Sequence, residues 1–340
     1  MDWEKIVTIF KKEPRFRLRQ VERVIFKDLI EDWKEATILT KALRTKLAKE
    51  CSLKIDGQIL ESSEKRTKKA ILTLADGIKI ESVLMRRKSG KNAVCVSCQA
   101  GCPIGCAFCA TGKMGFQRNL SAGEIIQQVL FWQRFLKKEN AKITSVVFMG
   151  MGEPFLNYDQ VKEAILFLNK EETFNLGQRK ISVSTVGIIE GIEKFSKEDW
   201  QVNLAISVHF VDWQKRQLFM PIEKTQPLKK VLSAIHSYLE KNRRKVMIEY
   251  ALFDKINDSP AEAVALVKIL KKELGNLFMV NLIAGNPVGE FRPSKKKSLE
   301  VFQKKLAVAG LDVIRRFSFG ADIQGACGQL VVGKSDSFKN

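Results

Sequence analysis

The chain of 340 residues is predicted to be an α/β protein, a partial (β/α)6 barrel preceded by a small N-terminal helical accessory domain. Three observations carry the prediction. Short β-rich runs recur six times after residue 90, amphipathic helical patterns lie between most of them, and chemistry-capable residues gather where the runs end.

Residues 1–50 read as helical, with polar and apolar residues mixed in "WEKIVTIFKK", "RLRQVERVIFKDLI" and "ATILTKALRTKLAKE". "AILTLADG" and "IKIESVLM" then read as strands, the second running into the basic turn "RRKSGKN". Residues 1–90 are the expected accessory domain and 91–340 the main one. The six runs are "AVCVSCQ" (93–99), "ITSVVFMG" (143–150), "RKISVSTVG" (179–187), "VNLAISVHF" (202–210), "RKVMIEYALF" (244–253) and "LFMVNLIAG" (277–285). Helical patterns between them include "SAGEIIQQVLFWQRFLKK", opened by a capping box of Ser121 and Glu124. Others are "YDQVKEAILFLNK", "LKKVLSAIHSYLEKN" and "PAEAVALVKILKKEL". Near-continuous apolar strands alternating with such helices imply a parallel sheet covered by helices.

An open doubly wound sheet has the same alternation, so periodicity leaves both forms standing. The placement of polar residues favours the barrel. Gly152 and Glu153 follow the second run, Ser184 and Thr185 end the third, Ser207 and His209 the fourth, and Asn286 follows the sixth. Barrels of parallel strands build their sites at that end of the strands.

A hydrophobic content of 45% and a charged content of 28% are ordinary for a globular protein. No apolar run is long enough to cross a bilayer, and "MDWEKIVTIFKKE" carries acids where a signal peptide has bases, so a cytoplasmic protein is expected. The net charge of +20 is spread along the chain and suits a folded surface facing phosphates. Lys241, Arg243, Arg244 and Lys245, with Lys295, Lys296 and Lys297, are candidate phosphate contacts or solvated faces.

Of seven cysteines, Cys102, Cys106 and Cys109 fall within "GCPIGCAFCATGKMGF". In a chain of this size metal or redox chemistry is favoured over a disulfide framework. Three thiolates on one loop can hold three irons of a [4Fe–4S] cluster and leave the fourth open to a small molecule. Including Cys98 would give a four-cysteine zinc site, and a closed electron-transfer cluster is a third reading.

The Cys-x3-Cys-x2-Cys spacing, with "MGMGEP" (149–154) after the second run, resembles the fingerprint of the radical S-adenosylmethionine (SAM) superfamily over the last 250 residues. "CVSCQAGC", "FMGMGEPFLN", "SVSTVGI", "LAISVHF", "VNLIAGNP" and "GADIQGACGQL" together resemble the RlmN/Cfr family of that superfamily, most of all its RlmN branch. The resemblance implies a radical SAM barrel and methylation of an adenine ring carbon, C2 favoured over C8, in 23S ribosomal RNA and transfer RNA. It implies a [4Fe–4S] cluster on Cys102, Cys106 and Cys109, and two SAM molecules per turnover. The implied SAM contacts are Gly152, Glu153, Ser184, Ser207, Val208, His209 and Asn286. Cys327 is implied as the thiol that becomes methylated, and Cys95 as the one that later resolves the protein–RNA bond, leaving a disulfide. Glu81 is implied as the proton acceptor. Further expectations are an RNA-contacting role for the accessory domain, an electron donor such as flavodoxin or ferredoxin, no membrane association and a monomer. Gln324 and Gly325 depart from the family's usual Asp and Ala before Cys327, and Cys98 stands where Ser is usual.

Overall fold

The computed structural model describes residues 1, 3–11, 13–316 and 318–332. Three helices, α1 (Trp3–Phe10), α2 (Arg15–Phe26) and α3 (Lys41–Glu50), open the chain. A meander of β1 (Asp56–Glu61), β2 (Thr67–Thr73), β3 (Lys79–Arg86) and β4 (Asn92–Val96) follows, each strand antiparallel to the last. A separate hairpin, β5 (Gln99–Gly101) with β6 (Phe116–Asn119), brackets the cysteine loop and the short α4 (Ala110–Met114).

From β4 onward the rhythm is strand then helix: α5 (Ala122–Lys137), β7 (Ser145–Phe148), α6 (Tyr158–Asn169), β8 (Ile181–Thr185), α7 (Ile189–Lys197) and β9 (Asn203–Ser207). Then come α8 (Trp213–Phe219), α9 (Leu228–Asn242), β10 (Val246–Leu252), α10 (Pro260–Leu274), β11 (Phe278–Ala284), α11 (Lys296–Val308) and β12 (Val313–Arg316). Six strand–helix units and a final strand result, matching the expected (β/α)6 count. In the large sheet all the ladders from β4 to β12 are parallel.

Strand order decides between the two parallel forms. The large sheet runs β1-β2-β3-β4-β7-β8-β9-β10-β11-β12, in sequence order throughout. A doubly wound sheet reverses direction at a switch point, and this one never does. Winding one way makes the sheet curl: β4 and β12 stand six places apart in the order, yet Cys95 of β4 and Arg316 of β12 line one cavity. The molecule is a partial barrel.

Strand alternation sorts the side chains between two layers. Val94, Val146, Val183, Ile206, Ile248 and Leu282 are buried on the helix side. Ile125, Val129 and Trp132 of α5 are among the helix residues of the same core. The registers Cys95↔Val147, Ser184↔Ala205, Ser207↔Glu249 and Ile283↔Arg316 carry the polar set along the other face, into the barrel. The expected run 93–99 divides into β4 and β5 around Ser97, and β1 and β12 lie outside every run named from sequence.

The N-terminal helices pack against α5 and α6. Trp3, Phe26 and Phe167 meet edge to face at 4.7–5.5 Å. Glu4 accepts from the Gly123 N–H at 3.1 Å, at the start of α5. The Arg134 guanidinium, buried beneath, donates to the Leu53 carbonyl at 2.8 Å and to that of Ile30. Among the described residues no helix is long and apolar enough to cross a membrane. Arg134→Leu leaves both carbonyls buried without a donor and lowers stability by about 2 kcal/mol or more, read from urea unfolding; a loss within about 0.5 kcal/mol would show that Arg134 does not fasten the N-terminal segment.

Candidate active site

Backbone geometry allows little variation around the cysteine loop. Gly101 has φ +82°, and a Cβ there would fall 1.9 Å from the Gly115 carbonyl oxygen. Only glycine lets β5 approach so closely. The Cys102 N–H donates to that same carbonyl at 2.9 Å and the Cys109 N–H to Cys106 O at 3.1 Å, coiling the loop. Cys102, Cys106 and Cys109 then face one cleft. Burial raises all three thiols, Cys102 to about 12; repulsion from neighbouring thiols of the trio adds to it at Cys102 and Cys106, and from Cys327 at Cys109.

Among the described residues no three acidic, histidine or cysteine side chains converge on one point as the ligands of a single ion would. The three thiols stand around the cleft instead. That fits a cluster, in which each thiolate meets its own iron and whose positive irons hold as thiolates the groups that burial keeps protonated. The Cys98 thiol is not part of the lining; it is buried, 3.7 Å from the Met151 carbonyl.

The cleft continues along the ends of β7, β8 and β9. Gly152, Glu153, Ser184, Ser207 and His209 line it, as expected from sequence. Gly152, at φ +101°, would place a Cβ 2.5 Å from the Gln99 side chain. Ser184 and Ser207 present their hydroxyls 3.4 Å apart on neighbouring strands. Glu153 is buried, accepting from the Phe155 N–H at 3.0 Å and from Val186 N–H at 2.9 Å, so it clamps the β7 loop to the β8 loop. Burial lifts its pKa to about 7 against those bonds. His209 sits at φ +55° with Nδ1 accepting from the Ala251 N–H at 3.1 Å. Burial, then the nearby Arg216, push its pKa down to about 3, so it is neutral with its proton on Nε2. Phe108, between Cys106 and Cys109, meets its ring edge to face at 5.2 Å.

Cys327 stands where this cleft joins a second, smaller cavity, and lines both. Cys95 lines the smaller one with Met85, Met149 and Ile283. Burial, then the Cys327 charge, raise the Cys95 thiol to about 12. The Cys327 loop is fastened to its surroundings on both sides. The Ala110 N–H donates to Gly328 O at 2.7 Å, Thr111 Oγ1 to Leu330 O at 2.6 Å, and Asn286 Nδ2 to Cys327 O at 2.8 Å.

Three predicted residues lie off the cavities. Val208 is buried, its N–H donating to Glu249 O at 3.1 Å and its carbonyl accepting from Arg216. Asn286 holds the Cys327 backbone. Glu81 shares a face of β3 with Met85, but its carboxylate pairs with Lys69 Nζ at 2.9 Å and accepts from Val331 N–H at 3.0 Å. Burial raises its pKa, with Lys69 opposing.

Three polar residues escaped the sequence reading. Arg316 lines both cavities and pairs with Glu249 at 3.4 Å; Cys327, then Glu249, strengthen its hold on its proton. Glu249 also accepts from Asn281 Nδ2 at 2.8 Å. Arg216, wholly buried, pairs with Glu223 at 2.8 Å and donates to the carbonyls of Val186 and Val208, tying the ends of β8 and β9 together. The only trace of Arg316 in the sequence is "RR" eleven residues before Cys327.

Residues 96–267 match the model of the Radical SAM superfamily. A protein of Dictyoglomus turgidum named "Probable dual-specificity RNA methyltransferase RlmN" is 41% identical over 320 residues, 94% of this chain and 91% of its own. A protein of the same name from Heliobacterium modesticaldum is 43% identical over 328 residues, 94% and 84% of the two chains. The crystal structure of a radical SAM methyltransferase from Sphaerobacter thermophilus superposes with a TM-score of 0.90 at 36% identity, covering 96% of this chain and 95% of that one.

Replacing Cys102, Cys106 or Cys109 by Ala removes bound iron from anaerobically purified protein, whereas Cys98→Ser retains it. Iron analysis with the visible absorption spectrum checks this, and iron loss in Cys98→Ser would bring that thiol into the ligand set.

Proposed function

This chain belongs to the radical SAM superfamily and, within it, to the RlmN family; from that footing we propose that it methylates C2 of adenine in 23S ribosomal RNA and in transfer RNA. The observation that carries the proposal is the position of Cys327, which faces the three-thiol cleft on one side and Cys95 on the other. A carrier thiol that must collect a methyl group at one place and be released at another has to stand at such a junction.

The chemistry explains the need for a carrier. Adenine C2 is an electron-poor sp² carbon and does not attack a methyl sulfonium as a nucleophile. Two SAM molecules per turnover serve the reaction. The Cys327 thiolate displaces the methyl group of one: the new C–S bond forms as the sulfonium bond breaks. A [4Fe–4S] cluster held by Cys102, Cys106 and Cys109 supplies, when bound, the electron that cleaves the second SAM and so the power to abstract a hydrogen atom from that methyl group.

The residues along the cleft do the positioning. Backbone at Gly152, the paired hydroxyls of Ser184 and Ser207, and the Nε2 proton of neutral His209 offer fixed donors and acceptors to a polar ligand. Asn286 and Thr111 keep the Cys327 loop at the junction. Arg316 faces both Cys327 and Cys95, and its charge favours the thiolate of Cys95.

Release falls to Cys95. Its thiolate attacks the Cys327 sulfur, an S–S bond forms, and the bond from that sulfur to the RNA-borne carbon breaks. The electron pair leaves with carbon, which takes up a proton and becomes the methyl group. The disulfide is then reduced from outside, and a donor of the flavodoxin or ferredoxin kind feeds the cluster. Before that release the carbon, left with one unpaired electron by the hydrogen abstraction, bonds to C2, and the adduct gives up one electron and the C2 proton; Glu81 becomes available for that proton once Val331 lifts from its carboxylate, and burial makes it a stronger base than an ordinary carboxylate. The protein works as a cytoplasmic monomer, with residues 1–90 contacting RNA.

The test is nucleoside mass spectrometry of 23S and transfer RNA from cells lacking their own methylase, with and without this chain. The expected product is 2-methyladenosine; 8-methyladenosine would overturn the C2 assignment and the absence of both would overturn the methylase reading. Cys95→Ala is expected to accumulate a covalent protein–RNA adduct that the Cys95→Ala/Cys327→Ala double variant lacks, and an adduct surviving in the double variant would remove Cys327 as the carrier.

A further inference from the structure

The outer face of α2 breaks the ordinary rules of a surface helix. Arg15, Arg19, Arg23 and Lys27, the residue capping its C-terminus, are all exposed and four residues apart. Successive charges therefore stand about 6 Å apart along one side of the helix. Like charges at that spacing oppose the helix. The first turn holds no acid, so Arg15 and Arg17 also face the positive end of the helix dipole, and Pro14 at the N-cap contributes no side-chain bond. The one acid of the helix, Glu22, is buried and taken up by Lys170, the residue capping the C-terminus of α6, at 2.5 Å. Among the described residues none of the four cationic side chains in the row has an ion pair or hydrogen bond. Exposed acids flank the row at Glu13 and Asp28, beyond its two ends.

An ordinary solvated helix face alternates its charges. A row of one sign, kept where it weakens its own helix, is matched to a linear polyanion. Beside it lies Phe16, 52% exposed, with the Arg17 guanidinium 4.9 Å from its ring centre. An exposed ring next to aligned cations is the pairing with which proteins hold a nucleic-acid backbone while stacking one of its bases. The face is also held in place. Val21, Val24, Ile25 and Phe26 bury the underside of α2, and Phe26 packs on Phe167 and Phe174. The row thus keeps a fixed position relative to the barrel.

We infer that this face of α2 binds the phosphate backbone of the substrate RNA, away from the reacting adenine, with Phe16 receiving an unpaired base. The inference rests on the RNA-methylating reading and names where the rest of the RNA lies.

The test uses full-length, cluster-loaded protein and a labelled, unmodified transfer-RNA transcript, with affinity followed by anisotropy between about 50 and 200 mM salt. In the triple variant R15Q/R19Q/R23Q the salt dependence, d log K/d log [salt], is expected to become shallower by about 2 to 3, since each arginine removed leaves one phosphate un-neutralised. The triple Arg→Lys variant is expected to keep the wild-type slope. Phe16→Ala is expected to weaken binding about fivefold or more with the slope unchanged, since a stacked ring releases no counterions. Wild-type slope and affinity in the triple Gln variant, with RNA still bound, would overturn the inference and leave the RNA-methylating reading intact. RNA binding by neither protein would overturn both. Binding to anionic phospholipid vesicles that the triple Gln variant loses, beside unchanged RNA affinity, would assign the row to a membrane surface and overturn the inference.

Discussion

The active site depends on a seam of hydrogen bonds between the cysteine loop and the end of the chain. Thr111 Oγ1 and Leu330 O are 219 residues apart in sequence and 2.6 Å apart in space. With the Ala110–Gly328 and Asn286–Cys327 bonds beside it, this contact sets where the Cys327 sulfur stands. No covalent link or long helix performs that task. Gly328, at φ +79°, lets the tail turn against Phe108 at a distance that still leaves room for a hydrogen bond. A loop held by three such bonds is positioned and yet releasable, since each contributes about 1 kcal/mol net. A thiol acting as the carrier proposed for Cys327 needs both properties.

The rigidity of the cleft comes from charges buried behind it. Arg216 is without solvent, and its guanidinium is satisfied by Glu223 and by carbonyls at the ends of β8 and β9. Glu153 does the converse with its own oxygens, collecting backbone N–H groups from the β7 and β8 loops. Buried charges cost several kcal/mol to desolvate, and only full hydrogen bonding offsets that. Here the partners are mainly backbone groups and one opposite charge, joined by the Met220 sulfur and the Thr185 side chain, so the irregular strand ends that face a ligand are locked from behind. The same burial explains the thiols: surroundings dry enough to raise Cys102 in the cleft and Cys95 in the smaller cavity to about 12 keep them protonated until a positive group or a catalytic step draws the proton away.

The N-terminal region is joined to the barrel by more than a linker. Its three meander strands extend the barrel sheet past β4, and Ser82 of β3 bonds the Cys95 carbonyl at 2.8 Å. Trp132 of α5 donates to the same Ser82 hydroxyl at 3.0 Å. A displacement of β3 would therefore be felt at the backbone of Cys95. Such continuity couples any surface on the helices before β1 to the geometry of the site, through sheet hydrogen bonds and a shared core.

Much of this molecule was legible in its sequence, and the division is physical. The six strand runs, the capping box at Ser121 and the three-cysteine loop are local patterns, set by residues within a few positions of one another; all three stand in the structure. The ends of the strands announced Gly152, Glu153, Ser184, Ser207 and His209, because alternation and chain direction alone send them to one rim. β1 and β12 were not legible: "DGQILE" and "VIRR" carry no alternation of their own and are strands only because β2 and β11 offer an edge. Nor could local pattern reveal that Arg316 lies between two cysteines, that Asn286 holds the Cys327 backbone, or that Lys69 occupies Glu81. Each is a pairing of side chains from distant segments. Sequence alone determined which chemical groups were present and which strand ends bore them. Only the curling of the sheet, which brings its first and last parallel strands around one cavity, decided which of those groups meet.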